Sequence, residues 1–132
     1  MTMKAKIILA EAATSHPDGT TSMLRAGITH LWGESPPLTL QAALYVRIEA
    51  ELGDEGSHQF DLRCMNEDGV EVLPRLQGQF QVSRGGGVNS IVLGVAMAFQ
   101  KFGPFTFYLR VDNVELDKWT ITAAKPQKEG RQ

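Results

Sequence analysis

Residues 38–52 read LTLQAALYVRIEAEL, and this stretch decides the fold class. One parity is apolar throughout, whereas the other is mostly polar. The apolar parity comprises Leu38, Leu40, Ala42, Leu44, Val46, Ile48, Ala50 and Leu52. Successive side chains of a β-strand point to opposite faces, whereas a helix with about 3.6 residues per turn would distribute these residues around its circumference. The stretch is therefore predicted to be a long strand with one buried and one solvated face.

Size and composition are those of a single globular domain. The chain has 132 residues, of which 42% are hydrophobic and 21% charged, so it can bury a core without disulfides or metals. The formal net charge is -2 and the basic residues are scattered, which leaves no positive footprint for nucleic acid or an anionic membrane surface. We therefore expect neither a nucleic-acid partner nor a membrane partner.

Cysteine usage and the N-terminal sequence bear on the compartment. Cys64 is the single cysteine, so no disulfide can form within the chain, as is typical of a reducing compartment. The first apolar run, Ile7–Ala10, is short and is ended by Glu11, which is unlike a secretory signal or a membrane-spanning segment. The sequence predicts a soluble, cytoplasmic protein.

Shorter alternating runs separated by turn sequences fill most of the remaining chain. Thr20–Trp32 is predicted as the second strand and Val114–Thr122 as the last, with a bulge near Asp117-Lys118 where the parity slips. Residues 123–132 have no apolar pattern and are predicted to form a mobile tail after a single domain of residues 1–122. About eight strands with short turns predict an all-β fold, an antiparallel two-sheet β-sandwich.

The segment Asn89–Phe99 is ambiguous between helix and strand. Asn89 is a good helix N-cap, and the run Ala96–Ala98 favours a helix. Against this, several residues are β-branched, Gly94 lies in the middle, and the larger apolar side chains share one parity. The pattern therefore favours a strand.

Residues 102–113 read FGPFTFYLRVDN: a glycine, a turn, an aromatic strand and a Val-Asp turn. This pattern resembles the closing strands of many immunoglobulin-like and transthyretin-like sandwiches. The whole chain is similar to a group of small, uncharacterised bacterial single-domain proteins, through Ala10–Ala13, Gly27-Ile28 and Arg47-Ile48-Glu49. The resemblance implies an immunoglobulin-like sandwich over nearly the full length, and it implies no activity, cofactor or site residue.

Candidate metal ligands lie in predicted loops. If every link between strands reverses direction, the loops at residues 15–19, 53–57, 84–87 and 112–113 share one end of the domain. The oxygen and nitrogen ligands predicted at this rim are His16, Asp18, Asp54, Glu55 and Asp112, with His58 beside them. Flexible carboxylates suit calcium, and two converging histidines would suit zinc. Solvated turn residues are the competing interpretation, because no loop has the dense Asp-x-Asp spacing of a dedicated calcium site.

Catalytic and phosphate-binding motifs are weakly represented. Ser15-His16 and Ser57-His58 place a hydroxyl beside an imidazole, but neighbours in a strand point to opposite faces. Cys64 shares its parity with apolar residues and is predicted to be a core side chain. Gly85-Gly86-Gly87 lacks the Gly-Lys-Ser/Thr continuation of a phosphate loop. The sequence therefore predicts a protein that is not an enzyme and has no cofactor.

The solvated faces carry the favoured functional hypothesis. Tyr45 and Arg47 point outward on the long strand, and Tyr108 and Arg110 do so with the same spacing on another. Tyrosine and arginine are enriched at protein interfaces, although such pairs also stabilise exposed sheets by themselves. If their strands share a sheet, the four residues line one surface. We therefore predict an interaction or assembly module that binds an unidentified protein or a second copy of itself. The alternatives are a loop-rim site for calcium or a small ligand and, third, a hydrolase-type enzyme.

Overall fold

Ten strands and no helix make up residues 3–126, the part of the chain described by this computed structural model. The all-β prediction is thus confirmed, and no described segment is a helix long and apolar enough to cross a membrane. The strands are β1 (Lys4–Ala10), β2 (Ala12–Ser15), β3 (Thr21–Leu24), β4 (His30–Trp32), β5 (Leu38–Ala50), β6 (Gly56–Asn66), β7 (Leu76–Val82), β8 (Gly87–Phe99), β9 (Gly103–Val111) and β10 (Val114–Ala124).

The strands form two larger sheets and a separate hairpin. One sheet has three strands in the order β1-β5-β8, and the other has five in the order β4-β10-β9-β6-β7. Among the described strands, β2 and β3 pair only with each other. The count of ten strands corrects the predicted eight. The pairing of β4 with β10 is parallel, which departs from the predicted all-antiparallel arrangement.

The two larger sheets share one hydrophobic core, and the alternation along β5 explains its contribution. Leu44, Val46 and Ile48 are fully buried, whereas Thr39 and Arg47 on the opposite parity are exposed. The strand ends at Ala50, and Leu52, which the pattern had included, is 79% exposed. From the second sheet, Leu62, Phe107 and Leu109 enter the same core. Alternation in sequence thus predicted the buried face of β5 correctly.

The ambiguous segment is a strand, as predicted. β8 pairs antiparallel with β5 along its whole length, from Leu38 opposite Phe99 to Ala50 opposite Gly87. Val95 and Phe99 are buried, which agrees with the parity that favoured a strand. The β-branched and alternating residues therefore outweighed the helix-forming run before Phe99.

The predicted second strand is wrong as one continuous element. Thr20–Trp32 is divided into β3 and β4, because Arg25 and Gly27 have φ values of 52° and 95°, in the left-handed region that a strand cannot accommodate. The N–H groups of Gly27 and Ile28 donate to the Leu9 carbonyl, which fixes this break against the end of β1. The chain then enters β4, beside β10 in the five-stranded sheet.

The last strand contains the predicted irregularity and extends further than predicted. The register between β10 and β9 shifts between Glu115 and Asp117. β10 continues to Ala124, and Ala123 is 1% exposed, so its end was predicted two residues early. Most of the predicted tail, residues 127–132, lies outside the described residues. The irregularity has a structural role, since Asp117 Oδ2 accepts a hydrogen bond of 2.8 Å from the Ile7 N–H of β1.

Candidate functional site

The two predicted tyrosine–arginine pairs lie on different sheets. Tyr45 and Arg47 belong to β5 in the three-stranded sheet, whereas Tyr108 and Arg110 belong to β9 in the five-stranded sheet. The single surface predicted for them therefore does not form. Equal spacing along two strands carries no information about which sheet each strand joins, and that is decided by long-range pairing.

The first pair is engaged by neighbours on its own sheet. The Tyr45 hydroxyl lies 3.0 Å from the Ser90 hydroxyl on β8, and Arg47 Nε donates to Glu49 at 3.3 Å. The first contact joins two adjacent strands, and the second joins two residues of β5 on the same face. Both side chains are therefore engaged by neighbours within their own sheet.

Of the second pair, Arg110 lines a polar cleft of about 570 Å³ on the outer face of β7, β6 and β9, whereas Tyr108 does not. Arg110 makes a two-pronged contact with Asp61 on β6, with Nε to Oδ1 at 3.3 Å and Nη2 to Oδ2 at 3.0 Å. Arg75, at the other side of the cleft, is paired with Glu71 at 3.0 Å. The remaining polar side chains around the cleft are Gln59, Gln77, Gln79, Asp112 and Asn113.

Asp61 is shared between two arginines. Arg63 Nε lies 3.7 Å from Asp61 Oδ1, beyond hydrogen-bond distance, and this buried nitrogen has no hydrogen-bond partner among the described residues. The Asp61 side chain is 13% exposed, against 27% for Arg110 and 22% for Arg63. One carboxylate therefore holds two guanidinium groups on the sheet surface, in partial shelter from water.

Replacing Asp61 with alanine is expected to lower the free energy of unfolding by about 1–3 kcal/mol, because it removes a charge-assisted pair and leaves two half-buried arginines together. Urea denaturation monitored by fluorescence measures this loss. Glu71→Ala is the matched control, since it removes an exposed carboxylate–arginine pair and should cost less than about 0.5 kcal/mol. Equal losses for the two variants would contradict the special position of Asp61.

Three of the four predicted rim loops meet at one end of the molecule. The strand registers place Ala50 opposite Gly87, Gly56 opposite Val82 and Phe60 opposite Val111, so the loops that follow β5, β7 and β9 are neighbours. The loop at residues 15–19 is the exception. The prediction assumed that every link between strands reverses direction, so that β1 and β5, with one predicted strand between them, would run parallel. They are in fact antiparallel. The β2–β3 hairpin therefore begins at the opposite end, after Ala10.

The predicted metal ligands divide in the same way. His16 and Asp18 bond within their own hairpin, to the Ser22 hydroxyl at 2.7 Å and the Thr20 hydroxyl at 2.6 Å. Asp54, Glu55 and Asp112 belong to the loops of the other end. Within residues 3–126, no group of three His, Cys, Asp or Glu side chains is placed to hold a metal ion. The predicted set is thus not brought together.

His58 links two of these rim loops, those at residues 53–57 and 112–113. Its Nδ1 lies 2.5 Å from Asp112 Oδ2, and its Nε2 lies 2.6 Å from the Asp54 carbonyl oxygen. Both of these oxygens accept, so the two contacts are both hydrogen bonds only when both ring nitrogens carry a hydrogen, and the arrangement favours the imidazolium form. The hydrogen bonds to Asp112 and then to Asp54 raise the pKa of His58 above 6.5. Sequence analysis named His58 in the rim but did not pair it with Asp112, which is 54 positions away.

The turn between β9 and β10 presents the Asp112 carboxylate to His58. Asp112 and Asn113 have φ values of 50° and 69°, as required by a two-residue turn with both central residues left-handed. Asp112 Oδ1 accepts from the Gln59 N–H at 3.0 Å. Partial burial acts to raise the pKa of Asp112, but the hydrogen bonds from His58 and Gln59 outweigh it and lower the pKa below 3.8.

Stability is expected to fall as pH rises through the folded-state pKa of His58. A raised pKa means that the folded chain holds the proton more tightly than the unfolded chain. The stabilisation by protonated His58 is therefore complete below about pH 6.5 and is lost as the pH rises above the folded-state pKa. Urea denaturation across pH 6–9 should show this loss in the wild type. The difference in unfolding free energy between wild type and His58→Gln should shrink over the same range. A constant difference would show that the imidazolium is not the stabilising form.

The remaining candidate for nucleophilic chemistry is a core residue. Cys64 is fully buried on β6, and burial raises the pKa of its thiol to about 12. A thiol of this pKa is almost fully protonated at neutral pH, which makes it a poor nucleophile. The structure thus places Cys64 where its parity predicted.

An exposed aromatic pair lies on β4, which sequence analysis left as the end of a longer strand. The rings of His30 and Trp32 are stacked with centroids 5.0 Å apart, and Trp32 is 55% exposed. They border a shallow cleft of about 400 Å³ together with the loop at residues 25–29. Trp119 fixes that loop from below, since its indole N–H donates to the Ile28 carbonyl at 2.8 Å.

The longest unprotected element is the outer edge of β8. β8 has 13 residues and, within the described chain, pairs only with β5. β2 lies near β5 and β8 but forms no ladder with them. No Lys, Arg, Asp, Glu or Pro occurs between Arg84 and Lys101. This edge was not predicted from the sequence. The charge-free run was a visible signal, but only sheet order shows that the strand is at an edge.

Comparison with known proteins gives a family without an assigned activity. The model of the family of unknown function DUF6941 matches residues 6–124. Because this span covers most of the chain, the protein belongs to that family, which confirms the predicted resemblance to an uncharacterised group. No curated protein matches the chain.

Proposed function

We propose that this DUF6941 chain is a non-catalytic interaction module that binds a protein partner by strand addition to β8. The observation that supports the proposal is the edge itself: a strand of 13 residues without a charge or a proline, which within residues 3–126 pairs on one side only. Every second residue of an edge strand directs its N–H and C=O away from the sheet, so such a strand is a template for another strand. Strand addition is a recurring mode of protein recognition.

The other sheet edges are shorter or blocked. β1 carries Lys4 and Lys6, and Asp117 accepts from its Ile7 N–H, so part of its free edge is already used. β4 has three residues and β7 has seven. Lysines and short length are devices that keep edge strands from pairing. The absence of these devices on β8 distinguishes it from the other three edges and favours a functional role.

The proposal includes the finer architecture, an immunoglobulin-like sandwich. In that fold, strands A, B and E form one sheet, and strands C, F and G form the other. The orders β1-β5-β8 and β7-β6-β9-β10 agree with this scheme if β7 is an additional strand beside C and β2–β4 are insertions after A. In the same scheme, strand D would lie beside E in the sheet. No described strand takes that place, so the outer edge of β8 is open.

A cytoplasmic location is proposed from the free, buried thiol of Cys64.

A charge placed on the edge tests the proposal. Gly94 is the central exposed position of β8, and a Cβ built there meets no atom within 4 Å, so Gly94→Lys should fold normally. Gln79→Lys, at an exposed position of the edge strand β7, is the matched control. Wild type and both variants are used as immobilised baits in an extract of the source cells, and bound proteins are quantified by mass spectrometry. The proposal requires a protein that wild type and Gln79→Lys retain and Gly94→Lys loses at least ten-fold. Identical protein sets for all three baits would refute it.

A further inference from the structure

We infer that the partner of β8 is a second copy of this chain, paired antiparallel with the first about a two-fold axis at Leu93. This inference rests on the proposed function, which makes β8 the docking edge. Leu93 is the midpoint of Gly87–Phe99, so an axis there aligns the whole strand with its copy. The two three-stranded sheets then form one continuous sheet across the interface.

The absence of charge favours self-pairing. In a two-fold arrangement a side chain close to the axis lies opposite or diagonal to its own copy, so a charge within about two residues of Leu93 would meet its own sign. None of the 13 residues is charged. An unrelated strand of alternating polar and apolar residues would in general carry charged side chains. On β8 these would find no side chain of opposite charge to pair with. A copy of β8 brings none.

The two faces of the joined strands also agree. About this axis Ile91 lies opposite Val95 of the second copy, and Leu93 lies opposite the second Leu93. These side chains belong to or pack against the hydrophobic core, so the apolar layer continues across the junction. On the outer face, Val92 lies opposite Gly94. When the two-fold axis passes beside a residue, paired positions differ by an even number and lie on the same face of the joined sheet. Apolar side chains therefore meet apolar side chains.

On the outer face, small side chains leave room for the second copy of β8, and the pairing buries apolar surface. Gly94, Ala96 and Ala98 are small and exposed on this face. Val88, which is 51% exposed, lies opposite Ala98 of the second copy in this register. The pairing would therefore cover the most exposed large apolar side chain of the strand and satisfy the free N–H and C=O groups of the edge. Equal lengths leave no unmatched backbone group.

Sedimentation equilibrium of the purified chain with a charge-swap series tests the inference. Wild type and Gly94→Gln are expected to dimerise equally within about three-fold. Gly94→Lys and Gly94→Glu should each dimerise at least ten-fold more weakly, because the two charges lie diagonally across the axis. An equimolar mixture of the lysine and glutamate variants should recover dimers. This recovery cannot be produced by misfolding of either variant. Gln79→Lys should dimerise like the wild type.

Cross-linking determines the register. Val92→Cys and Gly94→Cys chains, mixed and oxidised, should form a disulfide between positions 92 and 94, which lie directly opposite. Cys64 does not compete, because it is fully buried with a thiol pKa of about 12. A cross-link that maps to another pair would overturn the axis at Leu93.

The failures of the two proposals are distinguishable. A wild type that stays monomeric at every soluble concentration, or dimers unaffected by either charge, would overturn self-pairing. If a different protein is then still captured by the wild type and lost by Gly94→Lys, strand addition stands with another partner. If neither self-association nor charge-sensitive capture occurs, both proposals are wrong.

Discussion

Replacing Phe99 with alanine is expected to lower the free energy of unfolding by about 3–5 kcal/mol, the range for truncating a buried aromatic side chain. Phe99 is fully buried at the end of β8, and its ring stacks on Phe105 of the other sheet with centroids 4.3 Å apart. The substitution therefore removes apolar burial, opens a cavity and breaks an aromatic contact that joins the two sheets.

Urea denaturation of the variant measures the loss. Val88→Ala is the control on the same strand, because Val88 is half exposed and its truncation should cost less than about 0.5 kcal/mol. The variants should be compared at a concentration where the wild type is monomeric, so that association does not contribute to stability. A loss below about 1.5 kcal/mol for Phe99→Ala would mean that the two sheets are not packed through this ring pair.

Replacing Gly86 with alanine is expected to cost about 2–5 kcal/mol. Gly86 has a φ of 87°, and an added Cβ would lie 2.5 Å from the Ala50 carbonyl oxygen and 2.8 Å from the Glu51 carbonyl carbon. The left-handed conformation costs an alanine about 1–2 kcal/mol. The clash adds about 1–3 kcal/mol, because both neighbours are backbone atoms that move only if the loops separate.

Gly85→Ala separates the two contributions. Gly85 has a φ of 91°, but a Cβ there would meet no atom within 4 Å. Its replacement should therefore cost only the conformational part, about 1–2 kcal/mol. Thermal and urea denaturation of the two variants side by side measure the difference. Equal costs would show that the close approach between the loop before β8 and the end of β5 does not constrain this end of the molecule.

The positions predicted well from sequence are those where one strand's own pattern is sufficient. Alternation along Leu38–Leu52 predicted the strand and its buried face, although the strand ends two residues earlier, at Ala50. The same argument resolved Asn89–Phe99 in favour of a strand. These predictions succeed because side-chain direction in a strand has a period of two residues, whatever the neighbouring strands are.

The errors arose where a local pattern was continued past a backbone break. Thr20–Trp32 looked like one strand because its apolar residues keep their parity, but Arg25 and Gly27 adopt left-handed conformations that end β3 before β4 begins. Arginine gives no warning of positive φ, since it adopts it only under tertiary constraint. The hydrogen bonds to the Leu9 carbonyl supply that constraint.

Candidate sites were the least predictable, because they depend on pairs far apart in sequence. His58 and Asp112 meet across 54 positions, and Asp61 and Arg110 across 49. Tyr45 and Tyr108 each lie two positions before an arginine, but the two pairs belong to separate sheets. Spacing within a segment cannot distinguish these cases, since strand order and register are set by the packing of the whole core.

The sequence by itself determined that this chain is all-β, which sides of its long strands are apolar, and that β8 carries no charge, because these are properties of single segments. Only the tertiary structure decided that β5 is central and β8 is at an edge, that the two tyrosine–arginine pairs are separated, and that His58 links two loops of one rim. The physical reason is that a strand's faces follow from its own side chains, whereas its hydrogen-bonding neighbours follow from which arrangement of all the strands buries the common core.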